Sequence, residues 1–155
     1  MALESPWTPV GTADTWNMLV DPANRAVTDA SDVVLMNAFP FWEQIDVDRA
    51  LERLKQNIRE TREAIGWNKF FAVGETGWPT GGNNWGAAAP SVQNQQKYWK
   101  AVACWLQTTD YPWLWFEAFD EPAKRNSVDK VAYERSFGVC MHSRSPRMYQ
   151  ASHGC

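Results

Sequence analysis

The sequence alternates short apolar runs with amphipathic helical patterns, and this alternation constrains the fold more than any other feature. The four apolar runs are Thr8–Thr12, which is faint, Val33–Ala38, Phe70–Gly74 and Leu114–Phe119. Short runs rich in Val, Phe and Trp predict buried strands. Because strands that alternate with helices form parallel βα units, we expect an α/β fold with a four-stranded parallel sheet.

The segments between these runs have helical character. One amphipathic helix follows the second run, with Asp46 as its expected N-cap, and another follows the third run, with Ser91 as its N-cap. A shorter helix over Trp16–Val20 is ended by Pro22, and the tail after Val128 has room for one more. Such helices cover the faces of the sheet, as a parallel sheet requires.

Composition excludes several classes of protein. The chain has 155 residues, 45% of them hydrophobic, and a formal net charge of −3, which suits a single domain over residues 1–155. It has no dense basic stripe of the kind that binds nucleic acid or an anionic membrane. No apolar run is long enough to span a bilayer. The amino terminus lacks the basic region and apolar stretch of a secretory signal.

The cysteines do not indicate a metal site. Cys104, Cys140 and Cys155 show no CxxC spacing, so we expect no bound metal. One disulfide with a spare thiol and three buried thiols are both compatible with this count. The sequence contains no phosphate-binding loop, and we expect no cofactor.

Polar side chains follow the predicted strands at the points where the strands end. These side chains are Asn37, Glu75, Glu117, Asp120, Glu121 and Lys124. Ligands of parallel α/β folds bind at the carboxyl ends of the strands. We therefore expect a cluster of acids, an amide and a lysine at one end of the sheet.

Alternation of side chains along each strand assigns these groups to faces. Glu75 shares a side with Phe71 and Val73, and we expect all three to face a common interior. On the neighbouring strands, the interior side carries Leu35, Asn37, Phe39, Glu117, Phe119 and Glu121. The side chains of the third strand that we expect to face helices are Phe70, Ala72 and Gly74.

The segment VGETGWPT places Glu75 between two glycines at the end of an apolar strand. Gly74 allows a neighbour to approach closely, Gly77 allows a positive φ, and Trp78 offers a flat apolar wall. A carboxylate in this setting suits glycoside hydrolysis, which uses two carboxyl groups around the scissile bond. A salt bridge from Glu75 to Lys124, or a turn cap, explains the spacing equally well.

Taken together, these segments resemble glycoside hydrolase family 17, the β-1,3-glucanases and glucanosyltransferases of fungi and plants. The similar segments, in the order of the family, are PVGTADTWN (Pro9–Asn17), ASDVVLMNAF (Ala30–Phe39), VGETGWPT (Val73–Thr80), FEAFDEPAK (Phe116–Lys124) and ERSFGV (Glu134–Val139). The resemblance covers residues 9–140, and the tail over residues 141–155 is less similar to the family.

The resemblance implies a fold, a substrate and a set of site residues. The fold is the last four βα units of a (β/α)₈ barrel, a half-barrel, and the chemistry is retaining hydrolysis of, or transfer from, β-1,3-glucan. Glu75 corresponds to the catalytic nucleophile. The positions that line the site or lie near the substrate are Asn37, Phe39, Glu121, Lys124 and Glu134. Trp78 and Trp85 are candidate walls for stacking on sugar rings, although packing of the loop Thr80–Pro90 against the barrel explains them equally well.

One departure from the family affects what this chain can do. The family's general acid/base is a glutamate in a Gly-Asn-Glu context on the fourth strand, and no such segment occurs here. We therefore expect the first half of the barrel and the proton donor to be absent from this chain. We expect a chain that is inactive on β-1,3-glucan and that is aggregated, partly unfolded or self-associated through open sheet edges near Val10 and Phe116. The parent enzymes are expected in the cell wall or outside the cell.

Two other kinds of function stay open on the sequence. The chain is compatible with a non-catalytic remnant whose tryptophans and acids bind glucan without cleaving it. It is equally compatible with an inactive fragment that has no function of its own. It is also compatible with a structural α/β fragment that needs a partner chain. Turnover of laminarin by the chain alone separates an enzyme from a binding protein.

Overall fold

The computed structural model describes residues 8–124 and 131–140. Its strands are β1 (Gly11–Thr15), β2 (Val33–Asn37), β3 (Phe70–Thr76) and β4 (Trp113–Trp115). Its helices are α1 (Trp16–Val20), α2 (Arg25–Ala30), α3 (Val47–Ile65), α4 (Val92–Leu106) and α5 (Val131–Glu134), with a 3₁₀ turn at Pro22–Asn24. The strands form one sheet in the order β1-β2-β3-β4, and each neighbouring pair is parallel. The predicted α/β class with four parallel strands is confirmed.

The two long helices begin where the sequence predicts. Asp46 caps α3, because its carboxylate accepts a hydrogen bond from the backbone N–H of Asp48 at 2.8 Å. Ser91 caps α4, because its hydroxyl accepts from the backbone N–H of Asn94 at 3.0 Å. Both caps satisfy backbone donors that the first turn of a helix leaves unpaired.

The outer strands differ from their predicted bounds. β1 occupies Gly11–Thr15 rather than Thr8–Thr12, and β4 ends at Trp115 rather than at Phe119. After Trp115 the chain leaves the sheet, and residues 117–120 form parallel backbone hydrogen bonds with residues 137–140 instead. The alternation expected for Glu117, Phe119 and Glu121 is therefore wrong, because these residues are not part of β4.

The hydrophobic core lies between the sheet and the helices, and it contains side chains that we expected on the opposite face. Phe71 and Val73 are 4% and 0% exposed and belong to this core. The guanidinium of Arg62 on α3 lies over the ring of Phe71, 5.4 Å from its centroid. The expectation that Phe71 and Val73 face the barrel interior is wrong, and it is their strand neighbour Phe70, 54% exposed, that faces away from the helices.

The concave face of the sheet, opposite the helices, is apolar and partly open. The strand neighbours of Leu114, Trp113 and Trp115, both pack against Trp99 of α4. Leu114 therefore points to the other side of the sheet, where it is 64% exposed. β1 is a sheet edge with mostly exposed side chains. The second predicted open edge, near Phe116, is in part covered, because residues 117–120 pair with residues 137–140.

Cys104 forms a disulfide bond and Cys140 is a free thiol, in agreement with the first of the two alternatives for the cysteines. The third cysteine, Cys155, and the tail that contains it lie outside the described residues. Within residues 8–124 and 131–140, no group of three or more His, Cys, Asp or Glu side chains is arranged to hold a metal ion. None of the helices described combines the length and the apolar character needed to cross a membrane.

Candidate active site

Glu75 owes its orientation to a β-bulge in β3. Val73 pairs with Met36 of β2, and Glu75 pairs with the next residue, Asn37, so Gly74 is the extra residue of the bulge. Val73 is buried under the helices, and Thr76 faces the helices as well, because its hydroxyl lies 2.7 Å from the hydroxyl of Tyr98 on α4. A bulge shifts the alternation by one residue. Glu75 therefore points away from the helices, toward the concave face.

The two glycines beside Glu75 allow close approach of other segments. A Cβ on Gly74 would lie 2.8 Å from the side-chain oxygen of Asn37 and 2.9 Å from the Cβ of Leu35. A Cβ on Gly77 would lie 2.1 Å from the carbonyl oxygen of Phe116. The predicted role of Gly74 is confirmed. The role predicted for Gly77 is wrong, because a close neighbour and not a positive φ accounts for it.

The electrostatic surroundings of Glu75 are unusual for a strand residue. Burial raises the pKa of the Glu75 carboxyl, the positive charge of Lys124 opposes this rise, and the negative charge of Glu134 adds to it. The structure thus brings Lys124 and Glu134, two of the residues that the sequence assigns to the site, close enough to act on Glu75. A half-buried carboxylate with a cation nearby can be ionised at neutral pH while it is poorly hydrated.

Lys124 pairs mainly with Glu117. Its ammonium donates to both oxygens of Glu117, at 2.7 and 2.9 Å, and lies 3.8 Å from the carboxylate of Glu121. Lys124 forms ion pairs with Glu117 and Glu121, but no carboxylate oxygen of Glu75 lies within 4.0 Å of its ammonium nitrogen. The alternative of a direct Glu75–Lys124 salt bridge is therefore wrong, and Lys124 influences Glu75 at longer range.

Glu117 belongs to this cluster, as the sequence predicts from its place among the polar side chains at the strand ends, although the resemblance assigns it no role in the site. Its side chain is 13% exposed. Burial raises its pKa to about 7, the hydrogen bond from Lys124 opposes this rise, and a hydrogen bond with Glu121 together with the charge of Glu121 adds to it. Its position at the predicted end of the fourth strand indicated this membership, but not its contact with Lys124.

Asn37 and Phe39 lie beside Glu75 at the end of β2. Asn37 is the register partner of Glu75, and its side-chain oxygen is buried without a hydrogen-bond partner in the part of the chain that the structure describes. The half-buried ring of Phe39 packs edge-on against Phe116 and Phe137, with centroids 5.7 and 5.6 Å away. The site therefore has a half-buried amide and an aromatic wall next to the carboxylate.

Trp78 is not a wall of the site. Its side chain is 0% exposed, and its ring packs between Phe41 and Tyr98. Its indole N–H donates to the carbonyl oxygen of Ala89 at 3.0 Å. A ring with no exposed face cannot stack on a sugar, so the expected substrate contact of Trp78 is wrong, and the residue anchors the following loop.

Trp85 packs its loop against the top of the sheet. Its indole N–H donates to the carbonyl oxygen of Trp42 at 3.2 Å, and its ring meets those of Trp42 and Tyr133 at centroid distances of 6.3 and 6.4 Å. Trp85 and Trp42 are half-buried. These contacts favour the packing explanation for Trp85.

Gln95 holds together two segments of the site, and sequence reasoning missed it. Its amide nitrogen donates to the carbonyl oxygens of Trp78 and Phe137, at 2.7 and 2.9 Å, and the residue is 0% exposed. One of these segments follows Glu75 and the other follows Glu134. The available signal was a glutamine at helical spacing within the apolar stripe of α4.

The chain is similar to known carbohydrate-active proteins. A family model described as the BtgE/BtgC glycoside hydrolase domain matches residues 2–138. A glucan 1,3-beta-glucosidase of Saccharomyces cerevisiae is 38% identical over 135 residues, which cover 84% of this chain and 43% of that protein. The chain thus spans less than half the length of this relative.

Solved structures give the same picture. The glycoside hydrolase family 17 beta-1,3-glucanosyltransferase from Rhizomucor miehei is 32% identical, with a TM-score of 0.77, over 89% of this chain and 48% of that one. An active-site mutant of the Rhizomucor miehei beta-1,3-glucanosyltransferase in complex with laminaritriose has a TM-score of 0.78 at 32% identity, again over 89% of this chain and 48% of that one.

Proposed function

The chain belongs to the BtgE/BtgC glycoside hydrolase family, and from this premise we propose that it carries the nucleophile half of a retaining active site for β-1,3-glucan, with Glu75 as the nucleophile. The observation that supports this most is the bulge at Gly74, which turns a half-buried carboxylate out of the helical core and toward the concave face. The match confirms the resemblance to glycoside hydrolase family 17.

The proposed chemistry has two displacements. A Glu75 oxygen attacks the anomeric carbon, the bond from that carbon to the leaving oxygen breaks, and an acid protonates the leaving oxygen. A water or sugar hydroxyl then attacks the same carbon and loses its proton to the residue that acted as the acid. The ester bond to Glu75 breaks, and its carboxylate is restored.

Neighbouring residues have proposed roles in binding and charge. Lys124 keeps Glu75 ionised, and Glu121 and Glu134 line the site as hydrogen-bond acceptors for sugar hydroxyls. The half-buried side chain of Asn37, the register partner of Glu75, forms a hydrogen bond with a sugar hydroxyl. Phe39 forms an apolar wall at this end of the site.

We place the acid that protonates the leaving oxygen outside the carboxylates of this chain. None of them stands in the Gly-Asn-Glu context that the resemblance gives to that residue, and Glu117 has both oxygens bonded to Lys124. The chain alone should therefore not hydrolyse laminarin at the rate of an enzyme.

Hydrolysis and transfer differ only in whether water or a sugar attacks the glycosyl ester. The relatives include proteins of both names, a glucan 1,3-beta-glucosidase and a beta-1,3-glucanosyltransferase. We propose glucan of the cell wall as the natural substrate and a location outside the plasma membrane. The disulfide bond at Cys104 supports an oxidising compartment.

The concave face supports a further proposal about assembly. Phe70 and Leu114 expose more than half of their side chains there, and β1 is an outer strand of the sheet that the described residues form, an edge of the kind that can pair with another chain. We propose that two copies of the isolated chain associate through this face and edge.

The test of the nucleophile uses a substrate that needs no acid. A fluorinated laminaribioside with a dinitrophenyl leaving group releases a stable anion without protonation, so Glu75 can be glycosylated even where the proton donor is missing. We expect one sugar per chain by mass spectrometry in the wild type and in Glu63→Gln, a matched exposed acid on α3, and none in Glu75→Gln.

A non-catalytic glucan-binding function is the second candidate, because the chain spans less than half of its relatives. It predicts that laminarin binds the chain equally well in the wild type and in Glu75→Gln, and that neither protein is labelled.

A further inference from the structure

The charge cluster beside Glu75 contains one pair that is much better formed than the others. The Lys124 ammonium donates to both Glu117 oxygens at 2.7 and 2.9 Å, and the two side chains are only 18% and 13% exposed. The second partner, Glu121, lies at 3.8 Å and is 54% exposed. A charge-assisted, desolvated pair of this kind is stronger than an exposed one. Glu117 is therefore the group that fixes the end of the lysine side chain.

The remaining contacts of Lys124 leave its ammonium free to move without Glu117. Its backbone is held, because its N–H donates to the carbonyl of Glu121 at 3.0 Å and its own carbonyl accepts from the guanidinium of Arg135 at 2.9 Å. The ring of Phe116, 4.5 Å from the ammonium, attracts the cation but accepts no ordinary hydrogen bond. Without Glu117, the ammonium would turn to Glu121 at the exposed rim.

We propose that Glu117 is a positioning residue of this site, which holds the Lys124 ammonium in the place from which it stabilises the Glu75 carboxylate. The consequence for the reaction rests on the proposed role of Glu75 as nucleophile. The electrostatic relation between Glu75, Lys124 and Glu117 does not depend on that role.

The charges that face each group are consistent with this role. Glu75 is influenced by burial, Lys124 and Glu134, and Glu117 is influenced by burial, Lys124 and Glu121. Glu117 acts on Glu75 through the lysine. With both of its oxygens bonded to Lys124, Glu117 does not present a carboxylate to a sugar and is not a catalytic residue.

The test is a titration of Glu75 without any substrate, so that its outcome does not depend on catalysis. The pKa of Glu75 is measured by NMR on the full chain labelled at glutamate carboxyl carbons, with Glu75→Gln to assign the signal. We expect Glu117→Leu to raise the pKa of Glu75 as much as Lys124→Met does. Glu117→Gln, which keeps an amide oxygen as acceptor, should recover most of the wild-type value, and Glu121→Gln should change it little.

A double-mutant cycle separates positioning from a general structural effect. On the Lys124→Met background, Glu117→Leu should shift the pKa of Glu75 no further, because the lysine through which it acts is gone. An unchanged or lowered pKa in Glu117→Leu, or shifts that simply add in the double variant, would overturn the proposal. Should Glu117→Leu fail to fold, the cycle with Glu117→Gln decides: a small rise that disappears on the Lys124→Met background supports positioning, and no rise or an additive one refutes it.

Discussion

Gly74→Ala is the perturbation that addresses the orientation of Glu75 most specifically. The added Cβ would lie 2.8 Å from the side-chain oxygen of Asn37 and 2.9 Å from the Cβ of Leu35. The φ of Gly74 is not positive, so alanine is disfavoured by space and not by backbone conformation. Relief requires the bulge or β2 to move, and either movement displaces the carboxylate that follows.

The cost follows from two opposing effects. Overpacking a close contact costs about 1–3 kcal/mol, whereas replacing glycine by alanine in a tolerated conformation stabilises by about 0.4–1 kcal/mol through the unfolded chain. We expect a net loss of about 1–2 kcal/mol in the free energy of unfolding. A displacement of about 1 Å in a catalytic group can cost on the order of 10²-fold in rate, so labelling of Glu75 should slow at least about tenfold.

Urea unfolding measures the first effect, and the rate of labelling by the fluorinated laminaribioside measures the second. Gly81→Ala is the matched control, because its Cβ would lie 3.2 Å from the hydroxyl oxygen of Ser136 and would meet no other atom more closely than that. A Gly74→Ala protein with unchanged stability and unchanged labelling would refute the claim that the bulge determines the direction of the Glu75 side chain.

The other predictions concern packing, pH and assembly. Gln95→Leu leaves two buried carbonyls without their donor, at about 1–3 kcal/mol each, so urea unfolding should show a loss of about 2–4 kcal/mol, and a loss below 1 kcal/mol would contradict the role of the amide. The folded chain raises the pKa of Glu117 from 4.5 to about 7 and therefore binds its proton more tightly than the unfolded chain does. This contribution to stability is complete below pH 4.5 and is lost as the pH rises through about 7, so the free energy of unfolding should fall over that range, and Glu117→Gln should flatten the fall. An equally steep fall in Glu117→Gln would show that another group causes it. In size-exclusion chromatography the chain should elute as a dimer at high concentration, and Leu114→Lys should shift it to a monomer, whereas Val27→Lys, an exposed apolar residue on α2, should not. A monomer at all concentrations would contradict association through the concave face.

The elements of the fold were predictable because they depend on local patterns. The stripe of apolar residues in α3, the caps Asp46 and Ser91 and the apolar runs of β2 and β3 are all local in sequence. Their order fixes a parallel sheet, because strands separated by helices return in the same direction. The bounds of β4 were not predictable. Its aromatic run continues past Trp115, where the chain leaves the sheet and residues 117–120 pair with residues 137–140 instead.

The clustering of acids, an amide and a lysine at the strand ends was predictable, but the direction of the side chains was not. Simple alternation places Glu75 on the side of Phe71 and Val73, and that side is the helical core. Only the bulge moves Glu75 to the other face, and a bulge depends on contacts between strands that sequence spacing does not contain. The partner of Lys124 was missed for a similar reason, because the side chain reaches back to Glu117 across the turn that follows β4.

Tryptophan shows the limit of composition as evidence. The flat ring of Trp78 beside a carboxylate suits a sugar platform, yet its fully buried ring and its bond to Ala89 make it part of the core. Residue type decides what a side chain can do, and burial decides whether a ligand can reach it. Phe71 and Val73 are likewise covered by the chain's own helices, which argues against the expectation of a partly unfolded chain.

The most direct test of the account is to find the residue that carries the sugar after the chain reacts with the fluorinated laminaribioside. Peptide mass spectrometry of the trapped protein should place one fluorinated sugar on Glu75, with labelling that strengthens as the pH rises above 4.5, because the carboxyl must be ionised and its pKa is raised. A sugar on another acid, or a labelled Glu75→Gln protein, would contradict the claim that Glu75 is the nucleophile.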